Sequence, residues 1–216
     1  SVFELECLMI DKIKELNMEG LYYNVELPLA EVLSSMEYIG FKVDEDELSA
    51  LGEGYNVEIK SLTDEIYKLA GTQFNINSPK QIGEILFERL KLPAIKKTKT
   101  GYSTSVDVLE KLQDKHPIID KILRYRQIVK LKSTYIDGLT ALINKKTGRI
   151  HSNFNQTITT TGRISSTEPN LQNIPIRTED GRLIRKAFIP EKPEYTLIDA
   201  DYSQIELRVL ADRKSV

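Results

Sequence analysis

The chain has 216 residues, 40% hydrophobic and 29% charged, the balance of an ordinary water-soluble globular protein with length for one large domain or two small ones. Cys7 is the only cysteine, which excludes an intramolecular disulfide and any cysteine-based metal cluster. The formal net charge of -2 speaks against a polyanionic partner at face value, but it conceals a strong split along the chain.

Residues 1–70 carry 5 Lys/Arg and 16 Asp/Glu, net -11. Residues 91–190 carry 19 and 8, net +11. A chain divided in this way can present a basic surface while looking neutral. No apolar run approaches the roughly 18 residues of a membrane span, and the start, Ser1-Val2-Phe3-Glu4, lacks the features of a signal peptide. A reducing, cytoplasmic setting without a membrane is the expectation. The two histidines, His116 and His151, are too far apart to suggest a local metal motif.

In chain order, Leu5, Leu8, Met9, Ile13 and Leu16 recur at helical spacing over 3–19, and Gly20 is expected to stop that helix. Residues 26–39 repeat the pattern through Leu29, Val32, Leu33, Met36 and Ile39, with Pro28 in the first turn and Gly40 just past the end. Asp44 can cap a long helix from Glu45 to Ala70, about 39 Å at 1.5 Å per residue, ending at Gly71. Its stripe is Leu48, Leu51, Tyr55, Ile59, Leu62, Ile66 and Leu69. Ser78-Pro79-Lys80-Gln81 reads as a capping box with Pro at the first helical position, opening a short helix to Leu90.

Residues 91–105 lose the apolar period and read as a basic loop; Ser105 can cap the next short helix. A second long amphipathic helix is predicted over 117–143, through Ile118, Ile122, Tyr125, Ile128, Leu131, Tyr135, Leu139 and Leu142. Two long stripes of similar length should pair as an antiparallel arm. Beyond Asn144 the pattern changes. Residues 148–154 alternate like a strand, 157–180 are Thr/Ser/Asn/Pro-rich loop, Leu183–Ile189 and Tyr195–Ala200 read as strands, and Gln204–Ala211 reads as a helix. The predicted fold is α+β, mostly α: a long helical arm followed by a partial antiparallel sheet.

Asp201 then stands at the C-terminal end of a predicted strand, where a carboxylate can point into a cleft. Taken alone it reads first as an ordinary strand-end turn or N-cap aspartate. Three segments carry more. Thr161-Gly162-Arg163-Ile164-Ser165-Ser166, Pro169-Asn170-Leu171-Gln172-Asn173-Ile174-Pro175 and Asp201-Tyr202-Ser203-Gln204-Ile205-Glu206-Leu207-Arg208 resemble the polymerase region of DNA polymerase family A. Asn75-x-Asn77-Ser78-Pro79-Lys80-Gln81 and Leu131-Lys132-Ser133-Thr134-Tyr135 resemble its thumb and the base of the thumb, so that the resemblance covers nearly the whole chain.

The resemblance implies domains at 1–23 (a junction from an exonuclease-like domain), 24–44 (first palm helix), 45–135 (thumb) and 136–211 (N-terminal palm), with an atypical tail at 212–216. It implies that Asp201 is a metal-bridging carboxylate and that the Tyr202 carbonyl is a second ligand of a two-Mg²⁺ site. It also implies that Tyr202, Ser203, Gln204, Ile205 and Glu206 meet the incoming nucleotide, with Glu206 guarding the sugar 2′ position. Asp199 is as consistent with a solvated role. Arg163, Asn170, Gln172 and Asn173 would contact primer–template DNA, since Arg and Asn/Gln side chains suit phosphates and minor-groove edges; without the resemblance, a polar loop with Asx turns is the simpler reading.

The basic set comprises Lys96, Lys97 and Lys99 in the loop and Lys121, Arg124, Arg126, Lys130 and Lys132 on the second long helix. Sequence-independent binding needs such spaced cations. In the family's thumb, Asn75, Asn77, Ser78, Ser103, Thr104 and Ser105 would be neutral donors beside them. A merely solvated helix face is the alternative. Tyr125 and Tyr135 fall on the apolar stripe, which favours packing over base stacking. His151 and Cys7 read as structural.

The implied function is template-directed transfer of dNTPs to a primer 3′-OH in DNA replication or repair, by an intact protein that is monomeric. The family pattern continues past Asp201 to a triphosphate-binding helix and a second catalytic carboxylate, so this chain alone is expected to bind DNA without turnover. A non-catalytic duplex-binding module and a purely helical interaction protein are the non-enzymatic alternatives. A single-subunit RNA polymerase is disfavoured by Glu206.

Overall fold

A computed structural model of the chain describes residues 2–98 and 101–214. Helix α1 runs Val2–Glu15, and Asn17 in a left-handed conformation turns the chain. Gly20 does not stop a helix, as the sequence had suggested; it lies inside α2, Glu19–Leu21. A π-helical turn, Tyr22–Glu26, joins α2 to α3, Leu27–Ile39. Pro28 has no N–H to give, and the widened turn sits immediately before it. Gly40, at φ +65°, ends α3.

Strand β1 is Phe41–Lys42, and α4 follows over Glu45–Ala70. Asp44 accepts hydrogen bonds from the Asp46 and Glu47 amides at 3.1 and 3.0 Å, and Gly71 ends the helix in the left-handed region. These are the bounds expected from the capping aspartate and terminal glycine. Helix α5, Pro79–Gly83, is extended by a π-helical turn, Glu84–Arg89. Ser78 caps Gln81 N–H at 3.4 Å, but the Gln81 side chain reaches the Asn75 amide at 2.7 Å rather than closing a box on Ser78.

The stretch read as loop holds a small hairpin, β2 Lys97–Thr98 and β3 Gly101–Tyr102. Helix α6 is Val106–Glu110, and α7 is Ile118–Leu131. The predicted 117–143 helix is built from α7, a π-helical turn at Lys132–Asp137 and α8, Gly138–Leu142.

Helices α4 and α7 form the arm. Leu48, Tyr55, Leu62 and Ile66 on one face Ile118, Ile122, Tyr125, Ile128 and Leu131 on the other in one buried cluster. Each such aliphatic side chain contributes about 1.5–3 kcal/mol on burial. Gly52 brings the π-helical turn close: a Cβ there would lie 3.0 Å from Ile136 Cγ2. Lys121 reaches across to Glu65 at 2.7 Å and holds that carboxyl below its usual pKa, chiefly through the hydrogen bond.

The partial sheet is present only as short antiparallel ladders. β4, Arg149–Ile150, pairs with β1; β5, Asn153–Asn155, pairs with β6, Ser165–Thr167. Leu183–Ile189 is not a strand: α9 spans Glu179–Lys186. Thr178 caps the Gly181 amide at 3.1 Å, acidic Glu179 and Asp180 open the helix, and Arg185 and Lys186 close it. That polarity matches the helix dipole, and Ile184 and Ala187 are buried three residues apart.

Tyr195–Ala200 is not a strand either. It joins no β-ladder among the described residues, and Ile198 is 90% exposed; the Tyr195 amide instead donates to the Lys192 carbonyl at 3.0 Å, a local turn. Helix α10 covers Ile205–Lys214. The α1 stripe is likewise uncovered among the described residues, with Leu5, Leu8, Met9 and Leu16 all exposed. No described helix is long and apolar enough to cross a membrane.

Candidate nucleic-acid interface

The loop after β6 is fastened from beneath by hydroxyls. Ser152, fully buried, donates to the Thr167 or Pro169 carbonyl at 3.1 and 2.7 Å and contacts Ser166 Oγ at 2.7 Å, while Ser166 Oγ accepts from the Leu171 amide at 3.1 Å. Asn170 caps a tight turn, Leu171–Asn173, by accepting from the Gln172 amide at 3.0 Å. Gln172 Nε2 donates to the Ile164 carbonyl at 3.0 Å. Tyr135 OH donates to the Asn173 carbonyl, which ties the loop to the arm. The side chains of Asn170, Gln172 and Asn173 are exposed.

This arrangement brings two distant parts of the sequence together. Lys130, Thr134 and Tyr135 from the arm line one depression of about 340 Å³ with Pro169, Asn170 and Asn173 from the loop. Lys130 is exposed and forms no ion pair among the described residues, so its ammonium is free to meet an anion. Lys132 is turned to Asp137 at 2.8 Å.

A second polar depression, about 440 Å³, is lined by Asn77, Pro79, Ser103, Thr104, Ser105 and Arg126 among others. Asn75 Oδ1 accepts from the Asn77 amide at 2.9 Å, and the Ser103 and Ser105 hydroxyls lie 3.3 Å apart. Ser105 stands at the N-cap of α6 but makes no side-chain cap bond. Arg126 donates to both the carbonyl and the hydroxyl of Thr104, neutral acceptors that leave its charge without a carboxylate; burial pushes its pKa down. Lys96 is exposed near this site, whereas the Lys97 side chain and all of Lys99 lie outside the described residues.

Two other cations of the basic set, both half-buried, are committed to carboxylates. Lys121 pairs with Glu65, and Arg124 forks between Glu58, at 2.8 and 3.3 Å, and Asp180, at 2.6 and 3.2 Å. These hydrogen bonds, to Asp180 first and Glu58 second, raise the Arg124 pKa above its ordinary value. Tyr55, 4% exposed and beside the Asp180 charge, is pushed up to about 12, chiefly by burial. Sequence reasoning overlooked Asp180. The start of α9 was legible in Thr178, three residues before Gly181, with acids in the first turn and bases in the last; the burial of Asp180 was not, because its donors lie 53 to 125 positions away.

The Asp201 segment has no strand beneath it: residues 193–204 are irregular, and 191–213 are exposed throughout. Gln204, at φ +56°, turns the chain into α10, where Arg208 Nε donates to the Ser203 carbonyl at 2.9 Å. Tyr202 is 76% exposed. Glu206 meets Arg163 at 3.0 Å, so the predicted sugar guard and one predicted DNA contact share an exposed ion pair. Asp199 lines a largely apolar depression with Phe41, Leu171, Ile174 and Phe188. No cluster of three or more His, Cys, Asp or Glu among the described residues is placed to hold a metal ion.

The fold is that of a polymerase domain. The chain superposes on the POL domain of Pol1 from M. smegmatis, solved in complex with DNA primer-template and dNTP, with a TM-score of 0.85, 42% identity, and coverage of 97% of this chain and 37% of that one. The sequence profile of DNA polymerase family A matches residues 45–214, and the chain belongs to that family. It is 52% identical over 211 residues to DNA polymerase I of Geobacillus stearothermophilus, covering 98% of this chain and 24% of that protein. It is 54% identical over 203 residues to DNA polymerase I of Bacillus subtilis, covering 94% and 23%. The chain thus spans about a quarter of the length of these relatives.

Proposed function

We propose that this chain is the primer–template-holding portion of a DNA-directed DNA polymerase. The observation that carries the reading is the meeting of the free cation Lys130 with Asn170 and Asn173 across one depression, although loop and arm are about 40 residues apart. Lys130 would neutralise a backbone phosphate. Asn170, Gln172, Asn173 and Arg163 would contact the duplex near the primer end, and the Asn75–Asn77–Ser78 and Ser103–Thr104–Ser105 groups would donate to phosphates further along the arm. Lys132, Lys96, Lys97 and Lys99 would add to the cationic field. In these terms residues 45–135 are a thumb, 24–44 and 136–211 belong to a palm, and 1–23 form a junction.

In the whole protein, the primer 3′-OH would attack the α-phosphate of a dNTP and release pyrophosphate. The Asp201 carboxylate and the Tyr202 carbonyl are hard oxygen donors suited to Mg²⁺; a bound pair of such ions would neutralise charge on the reacting oxygens. Glu206 would exclude a ribose 2′-OH, with Ser203, Gln204 and Ile205 beside the nucleotide. The whole protein would act as a monomer in the cytoplasm.

Among the described residues no group of three or more His, Cys, Asp or Glu, at Asp201 or elsewhere, is placed to hold a metal ion, which favours a second statement: this chain by itself binds duplex DNA without turnover. Fluorescence anisotropy with a labelled primer–template should show affinity falling steeply as salt rises. Affinity indifferent to salt would refute the phosphate-binding role, because counterion release is unavoidable when cations meet DNA.

A further inference from the structure

A buried carboxylate is costly unless charges and donors surround it. Asp180, 7% exposed, has four donors on its two oxygens: Arg124 Nη1 at 2.6 Å and Nη2 at 3.2 Å, Gln127 Nε2 at 3.0 Å and Tyr55 OH at 3.3 Å. Those donors come from both helices of the arm, α4 and α7, and Arg124 is itself held to Glu58 on α4. Asp180 belongs to neither; it opens α9, directly after the loop that carries Asn170 and Asn173.

The loop must follow Asp180 because the two are locked together. A Cβ on Gly181 would lie 2.1 Å from the Pro175 carbonyl oxygen, so backbone meets backbone there. Arg185 also reaches the Ile174 and Pro175 carbonyls at 3.3 and 3.4 Å. The other end of this stretch is tied to the arm by Tyr135 at Asn173. Lys130 stands on the arm between those two ties. A guanidinium fork fixes angle as well as distance, and the grip on Asp180 is the more specific of the two anchors.

We propose that Asp180 is a positioning residue: gripped by Arg124, it sets the placement of the loop relative to the arm and hence the spacing of Asn170 and Asn173 from Lys130. This deepens the DNA-binding reading and rests on it. The test begins from a Cys7→Ser background, since Cys7 is the only cysteine and is exposed. Spin labels at Ser133→Cys on the arm and Arg177→Cys on the loop report their separation by pulsed electron resonance, without DNA.

The unsubstituted pair should give one narrow distance. Asp180→Asn should broaden it and weaken primer–template binding about tenfold, within the usual range for coupling between sites. Arg124→Lys keeps the charge on a half-exposed side chain but loses the fork; it should broaden the same distribution and decides the matter if Asp180→Asn does not fold. If the folded variants keep the narrow distance and full affinity while only thermal stability falls, Asp180 is an ordinary structural ion pair and the proposal fails. If the unsubstituted chain shows no salt-dependent DNA binding, the DNA reading fails instead, and the distances still decide whether Asp180 places the loop.

Discussion

At the scale of the residue, neighbours that the sequence does not bring together decide what each charged group is free to do. Lys121, Arg124 and Arg126 look equivalent to Lys130 along one helix, yet the first two are committed to carboxylates and the third to Thr104. A cation not already neutralised by a carboxylate releases the most counterion on meeting DNA. Lys130→Ala should therefore weaken duplex binding and reduce the slope of log affinity against log salt by about 1, whereas Lys121→Ala should leave the slope unchanged; anisotropy titrations across salt measure both.

Tyr55 yields a pH prediction. Its phenol is pushed up to about 12, against about 10 in an unfolded chain. The native state thus holds a proton that the unfolded state releases first. The corresponding stability is complete below about pH 10 and is lost as pH rises towards the native value. Urea midpoints should fall more steeply for the unsubstituted chain than for Tyr55→Phe over that window; parallel curves would mean that Tyr55 is not protected from ionisation.

At the scale of the element, periodicity and capping chemistry carry most of the information. Asp44, Gly71 and the 3–4 spacing of apolar residues define α4 to the residue, because helix ends need partners for orphan amides and carbonyls. Asp44→Ala should cost about 1 kcal/mol, and Ile122→Ala, at a fully buried site, about 2–5 kcal/mol; chemical denaturation measures each. Gly181→Ala belongs here as well. It would drive a methyl into the Pro175 carbonyl, with about 1–3 kcal/mol lost to overpacking, and the same denaturation series reads it.

The errors at this scale share a cause. Leu183–Ile189 has apolar residues compatible with either period over so short a run, and the Thr178 cap and charge polarity settle it as helix. Tyr195–Ala200 has strand composition but no ladder partner among the described residues; a strand is defined by hydrogen bonds to another strand, which composition does not supply. The π-helical turns at 22–26, 84–89 and 132–137 each take up an extra residue, which a fixed 3.6 period does not anticipate: past the last of them the seam moves on by one, so that Leu142 of the expected stripe is 44% exposed while Ile143 is buried.

At the scale of the whole molecule, the charge split finds its place. The acidic first third forms α1, α3 and α4, while the basic stretch supplies α7 and the loop against it. Primer extension with Mg²⁺ and four dNTPs should give no detectable product from this chain, since the single carboxylate of Asp201 does not hold two ions in place; robust extension would overturn that. In an intact polymerase containing this segment, Glu206→Ala should raise ribonucleotide incorporation, measured by extension with rNTPs.

The sequence by itself determined the helical arm, its caps and its apolar seam, because those depend on neighbours three or four residues away. The motif segments around Arg163, Asn170 and Asp201 likewise pointed to family A without any coordinates. The tertiary structure alone decided which charges are spent on holding helices together, that Lys130 faces Asn170 and Asn173, and that Asp180 sits buried among donors from both arm helices. Those facts depend on contacts between residues tens of positions apart, and no local period or propensity encodes which polar group will be buried beside which.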